Sequence, residues 1–419
     1  DEKMFTKIIY TNLFSRFNYE INLKEEGVTI ITGPNGFGKS TILKSINAFY
    51  TFDILFFAEL DFEKIEYYSD ESRDPICIEK KDNNVVIDGF EIDIESLKKE
   101  ILSSIKRPYL MQIDKELWVN QRTDELLSED DLIKFFLSSN SLEESIELKD
   151  ISLIKLRNKL KKYSGETKFI KEQRLLRERN IGRFENRLVS VIDELPDKLL
   201  KKMNMVSSKY SSEANQLDSS YPNRLFKTDK GITKEEYQKS INSMNERFEK
   251  LNKYNISDIK GLEEQDIFQE EHSKALKIYF DDFDKKYKVF EEFIDQLDLF
   301  TNIINSRLKY KEIKISREKG IVVHKSDNHD QLKLNQLSSG EKQEIVLFYE
   351  LIFESDKNIH LLIDEPEISL HIAWQLKFMN DLLRIAEKKR FKVTVATHSP
   401  QIINNHWDLQ IDLGELYGN

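Results

Sequence analysis

The 419 residues include a single cysteine, Cys77. One thiol excludes an internal disulfide and a cysteine-rich zinc site, and both exclusions fit a reducing, cytoplasmic setting. Glycine (13) and proline (7) are too scarce for a collagen-like or Pro/Gly-rich low-complexity chain. No run of about 18 uncharged apolar residues occurs, so neither a membrane-spanning helix nor a membrane partner is expected. The opening Asp1-Glu2-Lys3 is polar and carries no apolar signal segment. Positive charge is short as well: 64 Lys and Arg against 75 Asp and Glu leave a net charge of −11. That balance argues against a generally basic nucleic-acid binder, because phosphate contacts need clustered Lys and Arg, but it leaves room for nucleic acid at local basic patches. What is present is 39% hydrophobic and 33% charged residues, with Lys, Glu, Leu and Ile abundant. This is the profile of long solvated helices beside a smaller sheet core, and the length suggests two or three structural units. Cys77, between Ile76 and Ile78, reads as a small buried hydrophobe.

Residues 5–12 and 16–23 carry short alternating apolar patterns that predict strands. Gly27-Val28-Thr29-Ile30-Ile31-Thr32 is a continuous β-branched run, as expected for a strand buried on both faces of a parallel sheet. It ends at Gly33-Pro34-Asn35-Gly36, and from Lys39 to about Tyr50 the periodicity is helical. Val85-Val86-Ile87 before Asp88-Gly89 predicts a hairpin, 93–105 and 129–162 predict helices, and Lys168-Phe169-Ile170 predicts a further core strand. From about 175 to 310 charged residues dominate and apolar ones recur three and four apart, predicting helices over 183–205, 234–253 and 263–307. The stretch 207–229, with its Ser-Ser pairs and Tyr221-Pro222, predicts a turn region. Together these segments predict an antiparallel, partly coiled-coil hairpin reaching roughly 70 Å, with a compact helical lobe as the alternative. After 311 the sheet pattern returns: a hairpin turning near Lys319-Gly320, a helix over 341–354, a strand at 360–363, a helix over 370–388 and a strand over 391–396.

The fold class expected is therefore α/β, with one core assembled from both ends of the chain. Residues 1–50 and 311–419 supply its two parts and 166–180 a further piece. Residues 51–165 form a mixed α/β insertion and 181–310 an inserted helical hairpin.

Gly33 to Ser40 matches the P-loop pattern G-x-x-x-x-G-K-[ST] and lies between a predicted strand and a predicted helix, where phosphate binding requires it. Gly33, Pro34, Asn35, Gly36 and Gly38 would wrap backbone N–H groups toward phosphate oxygens at the helix N-terminus. Lys39 would reach the β- and γ-phosphates, with Thr41 beside it, and the Ser40 hydroxyl would bind Mg²⁺. Leu361-Leu362-Ile363-Asp364-Glu365-Pro366 puts two carboxylates at the C-terminal edge of an apolar strand, where ligands of parallel sheets sit. Asp364 is placed to hold Mg²⁺ and Glu365 to polarise the attacking water as general base. Leu337-Ser338-Ser339-Gly340-Glu341 opens a helix with small and hydroxyl residues, which describes an anion-binding N-terminus and a plain Ser N-cap equally well.

The order of these elements, followed by a strand ending in Thr397-His398-Ser399, resembles the ABC ATPase superfamily, and within it the branch of SMC, RecF and OLD-like proteins. The segments 28–44, 336–348, 360–371 and 393–402 carry the resemblance, and the core they imply is about a third of the chain. It implies a P-loop ABC-type core that uses ATP and Mg²⁺. Ser338, Ser339, Gly340 and Glu341 would be a signature motif closing over the γ-phosphate held by another copy's P-loop, so a homodimer or higher homo-oligomer follows. The resemblance further implies a Walker B pair in Asp364 and Glu365, a D-loop in Ser369-Leu370-His371 and a switch histidine in His398 contacting the γ-phosphate or water. It also requires a Q-loop glutamine touching nucleotide and metal; Gln173 is the choice, with Gln112 and Gln121 as competitors. Lys168, Lys171, Arg174, Arg177 and Arg179 form the densest basic patch, readable as a solvated face or as a nucleic-acid or partner contact.

The long stretch between Thr41 and Leu337 resembles the RecF/SMC kind of architecture rather than a transporter subunit. After His398 the sequence is too short for the Toprim nuclease domain of OLD proteins, and Asp408, Asp412 and Glu415 read as surface charges. Any nuclease is then expected in trans. ATPases of this size resemble the subunits of two-gene anti-phage systems, PtuA of Septu with an HNH nuclease and AriA of PARIS with a Toprim-type effector. The expected function is an ATP-dependent sensor that regulates such a partner; the alternative is a RecF/SMC-like repair ATPase that binds DNA itself.

Overall fold

A computed structural model describes residues 5–69, 74–82, 84–104, 110–114, 117–120, 125–138, 160, 167–170, 175–180, 186–257, 268–328 and 330–418. The chain divides into two compact units, Asp1–Val189 with Ser355–Asn419, and Ser190–Glu354.

In the first unit five strands form a parallel sheet in the order Thr167–Ile170, His360–Asp364, Lys392–Ala396, Val28–Thr32, Gln410–Asp412. The N-terminal strand Val28–Thr32 thus lies between strands from the C-terminal part of the chain in one sheet, as the α/β expectation required. All five residues of Val28–Thr32 are buried, which explains its unbroken β-branched run. A second, antiparallel sheet of six strands begins with Phe17–Asn22 and Phe5–Leu13 and continues through Lys64–Ser69, Ile76–Lys81, Asn84–Ile87 and Phe90–Asp93. Residues 64–93, expected in an insertion, therefore extend a sheet that the first strands begin. Ile65, Tyr67, Ile76 and Ile78 alternate inward and join the same core as Ile8 and Tyr10. Cys77 lies on the opposite face of its strand from Ile76 and Ile78 and is half-buried rather than buried.

Helix Lys39–Thr51 contributes Ile42, Leu43, Ile46 and Phe49 to that core, together with Leu362 and Ala396 of the parallel sheet. Its buried Ser45 hydroxyl lies 2.6 Å from the Tyr10 phenol, and the Ser45 carbonyl accepts from the Tyr67 phenol at 3.1 Å. The buried polar groups of Tyr10, Ser45 and Tyr67 thus partner one another. The helix that follows the P-loop is fixed from the side of the antiparallel sheet.

The second unit holds the helices Val191–Lys227, Lys234–Lys253 and Ser273–Asn305. A hairpin, Lys311–Ser316 with Gly320–Lys325, and helix Ser339–Phe353 belong to the same unit. Two expectations are corrected here. The stretch 207–229 is not a turn region: one helix of 37 residues, about 55 Å long, occupies it as far as Lys227. Proline in a helix interior removes a backbone hydrogen bond. In the turn before Pro222 the Leu217 carbonyl accepts from Arg224 Nη2 at 2.8 Å and Ser220 Oγ at 3.0 Å, while Arg224 is held by Asp282 of another helix. Tertiary pairing overrides the local turn signal. The second correction concerns residues 311–354, expected with the C-terminal part of the core, which group with the helices. Helix Ser339–Phe353 buries Tyr349 and Phe353 against Phe300, and its Glu344 forms a fully buried ion pair with Arg307 at 2.5 Å.

Candidate functional site

Strand Val28–Thr32 ends in a loop whose Gly36 and Gly38 have φ of 82° and 91°, the left-handed region that glycine alone enters freely. Pro34, Asn35 and Gly36 are exposed, and Gly33 and Gly38 half-buried. Gly38 is the N-cap of helix Lys39–Thr51 and has no side chain to cap the first turn, so the helix start presents backbone rather than side chain. The buried Lys39 ammonium donates to the Gly33 carbonyl at 2.9 Å and the Pro34 carbonyl at 3.2 Å, which lays its side chain along the loop. Burial lowers its pKa, and the charges of Glu365, Asp364, Glu367 and Asp412 oppose that shift. Ser40 and Thr41, both half-buried, follow in the first helical turn.

The neighbouring edge of the sheet brings up the carboxylates. Asp364 pairs in register with Ala396, and the Glu365 N–H donates to the Ala396 carbonyl at 2.9 Å. The Ser40 hydroxyl donates to Asp364 Oδ1 at 2.9 Å. Glu365 has φ 44°, an uncommon conformation for a residue with a side chain, which costs about 1–3 kcal/mol and persists where surrounding structure holds it. His398 Nε2 lies 3.4 Å from Glu365 Oε1. Burial raises the Glu365 pKa, as does Asp364, while His398 and Lys39 lower it. Among the described residues no three His, Cys, Asp or Glu side chains could enclose a metal ion. One hydroxyl beside one carboxylate is the kind of open oxygen set that suits Mg²⁺, which keeps waters and substrate phosphates among its ligands. The residues present fit a magnesium–nucleotide group.

Glu367, which belongs to none of the sequence motifs, ties this edge together. Its carboxylate accepts from the Thr397 hydroxyl at 2.8 Å and from the His398 N–H at 2.6 Å. Gln375 adds a second tie, donating to the Glu367 and Leu370 carbonyls at 3.3 and 3.1 Å and accepting from the Ser399 hydroxyl at 2.7 Å. Leu370 of the expected D-loop is buried and His371 exposed, its Nδ1 accepting from the Ala373 N–H. Asp412 is another correction. It is half-buried and accepts from the Thr32 hydroxyl at 3.2 Å, whereas Asp408 and Glu415 are exposed. An acid after Pro366 was the only sequence signal for Glu367; for Asp412 there was none.

Ser338, Ser339, Gly340 and Glu341 lie in the second unit, at the start of helix Ser339–Phe353. Ser338 and Ser339 are exposed and Gly340 half-buried. Glu341, expected at the nucleotide, is buried in a capping box, accepting from the Ser338 N–H and hydroxyl at 2.8 and 2.9 Å and from Lys311 Nζ at 2.8 Å. Burial alone would raise its pKa, but the Lys311 and Ser338 hydrogen bonds bring it below the usual value. Its geometry is that of a structural cap. Gln173, Lys171 and Arg174 lie outside the described residues, as does Gln121, while Gln112 is exposed on strand Leu110–Asp114. Arg177 and Arg179 fall in strand Leu176–Asn180.

A family model described as AAA ATPase domain (AAA_15) matches residues 4–403. No curated protein matches the chain. Among solved structures, the Smc head domain with an extended coiled coil bound to the C-terminal domain of ScpA, from Pyrococcus furiosus, aligns with a TM-score of 0.36 and 12% identity over 96% of this chain and 91% of that one. A structure of the Smc head bound to the C-winged helix domain of ScpA gives the same values.

Proposed function

The chain belongs to the AAA ATPase domain family, and from that premise we propose that it binds MgATP at composite sites between copies of itself, hydrolyses it slowly, and regulates a nuclease partner in anti-phage defence. The observation that carries the catalytic part is the convergence of Ser40, Asp364, Glu365 and His398 beside the P-loop. In this reading the loop amides and Lys39 bind the phosphates, and Ser40 and Asp364 hold Mg²⁺, which when bound neutralises charge on the β- and γ-phosphates. Glu365 takes a proton from the attacking water, its basicity raised by burial and by the neighbouring Asp364 charge. His398, steadied by Glu367 through its backbone N–H, faces that carboxylate.

The composite site is supported by the exposure of Ser338 and Ser339 at a helix N-terminus, the end that attracts anions. The defence role rests on family analogy alone: the motif order resembles the SMC, RecF and OLD-like branch, to which the Septu and PARIS ATPases are compared. Co-expression with the product of the neighbouring gene tests it: an HNH or Toprim nuclease that co-purifies and loses its control with Glu365→Gln supports the role. Salt-dependent, ATP-requiring DNA binding by the ATPase alone, with no nuclease partner, would replace it with the repair reading.

A further inference from the structure

The family match stops at residue 403, yet residues 410–418 are built into the wall of the P-loop. Strand Gln410–Asp412 pairs in parallel with Ile30, Ile31 and Thr32, the residues that lead into the loop. Thr32 Oγ1 donates to Asp412 Oδ2 at 3.2 Å and accepts from Gln410 Nε2 at 2.6 Å. The other Asp412 oxygen accepts from the Gly414 N–H at 2.7 Å, opening helix Leu413–Gly418. A Cβ on Gly33 would come within 3.1 Å of the Leu413 Cβ, so this helix and the loop are in direct contact. Three residues on from Gly414, the Tyr417 ring meets Phe37 of the loop edge-on at 5.8 Å and Phe17 at 5.1 Å. Arg16 Nε donates to the Tyr417 hydroxyl at 3.1 Å, and the Tyr19 phenol donates to the Phe37 carbonyl at 3.0 Å.

We infer that residues 410–418 are a brace that holds the P-loop in its binding shape, with Asp412 and Tyr417 as positioning residues for the nucleotide. The inference rests on the ATP-binding reading above. Thr32 at the strand end and the loop residues Gly33 and Phe37 each have a partner in the brace, so the loop conformation is set before any phosphate arrives. Preorganisation of this kind acts on affinity, because a loop already ordered has less freedom to lose on binding. The hydrogen bonds and ring contacts named above run from the brace to Thr32, Phe37, Phe17 and Arg16 and not to Asp364, Glu365 or His398, so the expected effect is on binding rather than on the chemical step.

The test is a nucleotide titration and steady-state kinetics on the full chain carrying Tyr417→Ala, Tyr417→Phe or Asp412→Ala. Removing the ring is expected to weaken MgATP binding about tenfold and to leave kcat at saturating ATP within about threefold. Tyr417→Phe keeps the ring and is expected to bind close to the wild type, while Asp412→Ala follows Tyr417→Ala. Backbone amide exchange over residues 33–39, measured without nucleotide, should quicken in both Ala variants and not in Tyr417→Phe. Unchanged affinity and exchange in both Ala variants would overturn the brace, and so would a fall in kcat at constant affinity. Should Tyr417→Ala fail to fold, Tyr417→Leu takes its place under the same criteria. If the wild type itself does not bind MgATP, the functional reading fails, and amide exchange alone then decides on the brace.

Discussion

Ser40 and Asp364, 324 positions apart in the chain, meet through a 2.9 Å hydrogen bond between hydroxyl and carboxylate. Ser40 lies in the first turn of the helix after the P-loop and Asp364 ends the buried strand His360–Asp364, one strand removed from Val28–Thr32, so the sheet topology itself creates this pair. If the two oxygens hold Mg²⁺, Ser40→Ala and Asp364→Asn each weaken magnesium-dependent ATP binding by roughly 10- to 100-fold, the range for losing one charged hydrogen-bond partner. Binding titrations with and without Mg²⁺ check this, and both variants should lose most of the magnesium effect.

Glu365 gives a pH signature. Its pKa is raised chiefly by burial and then by Asp364. The active form of a base is the deprotonated one, so activity falls as pH drops through this raised value. The acid limb of kcat should therefore lie above about 4.3, the ordinary glutamate value. Because His398 lowers the Glu365 pKa, His398→Ala should move the limb further up. Glu365→Gln should cut kcat roughly 100-fold or more, the scale of general-base catalysis, with ATP affinity little changed.

Glu367 holds the His398 backbone and the Thr397 hydroxyl with one carboxylate. Glu367→Gln can accept only one of those two bonds with its amide oxygen. A misplaced catalytic group can cost up to about 100-fold in rate, so kcat should fall by roughly 10- to 100-fold while KM stays constant. A change confined to KM would remove Glu367 from this positioning role.

Stability offers an independent check on the second unit. Arg307 and Glu344 are 1% and 3% exposed, and Arg307 also lies over the Phe348 ring at 4.7 Å. Glu344→Ala leaves a buried guanidinium without its counter-charge and should cost about 3–5 kcal/mol in denaturant unfolding. Replacing both, Arg307→Met with Glu344→Leu, should recover most of that loss.

Much of the first unit was legible because its signals are local. The β-branched run of Val28–Thr32, the Gly-rich loop and the apolar strand before Asp364 each declare themselves within a few residues. Even the short Thr167–Ile170 was readable as a core strand. What escaped was non-local. Nothing near Asp412 announces that it bonds to Thr32, 380 positions away. The stretch 207–229 carries honest turn residues, but serines on exposed helix faces are tolerated, and Arg224 finds its partner in Asp282 of a different helix. The strands of 64–93 alternate in the way a free-standing hairpin would, and only pairing with Phe5–Leu13 shows which sheet they join.

The proposal stands or falls on one ATP being held by two copies. Mixing purified Lys39→Ala with Ser339→Arg provides the direct measurement, since each variant alone spoils every composite site in a different half. Hydrolysis is predicted to be absent from either variant alone and to return on mixing, because the pair then assembles sites with an intact P-loop from one copy and an intact Ser338–Gly340 from the other. Full activity of Ser339→Arg alone, or no recovery in a mixture that still associates, would contradict the account.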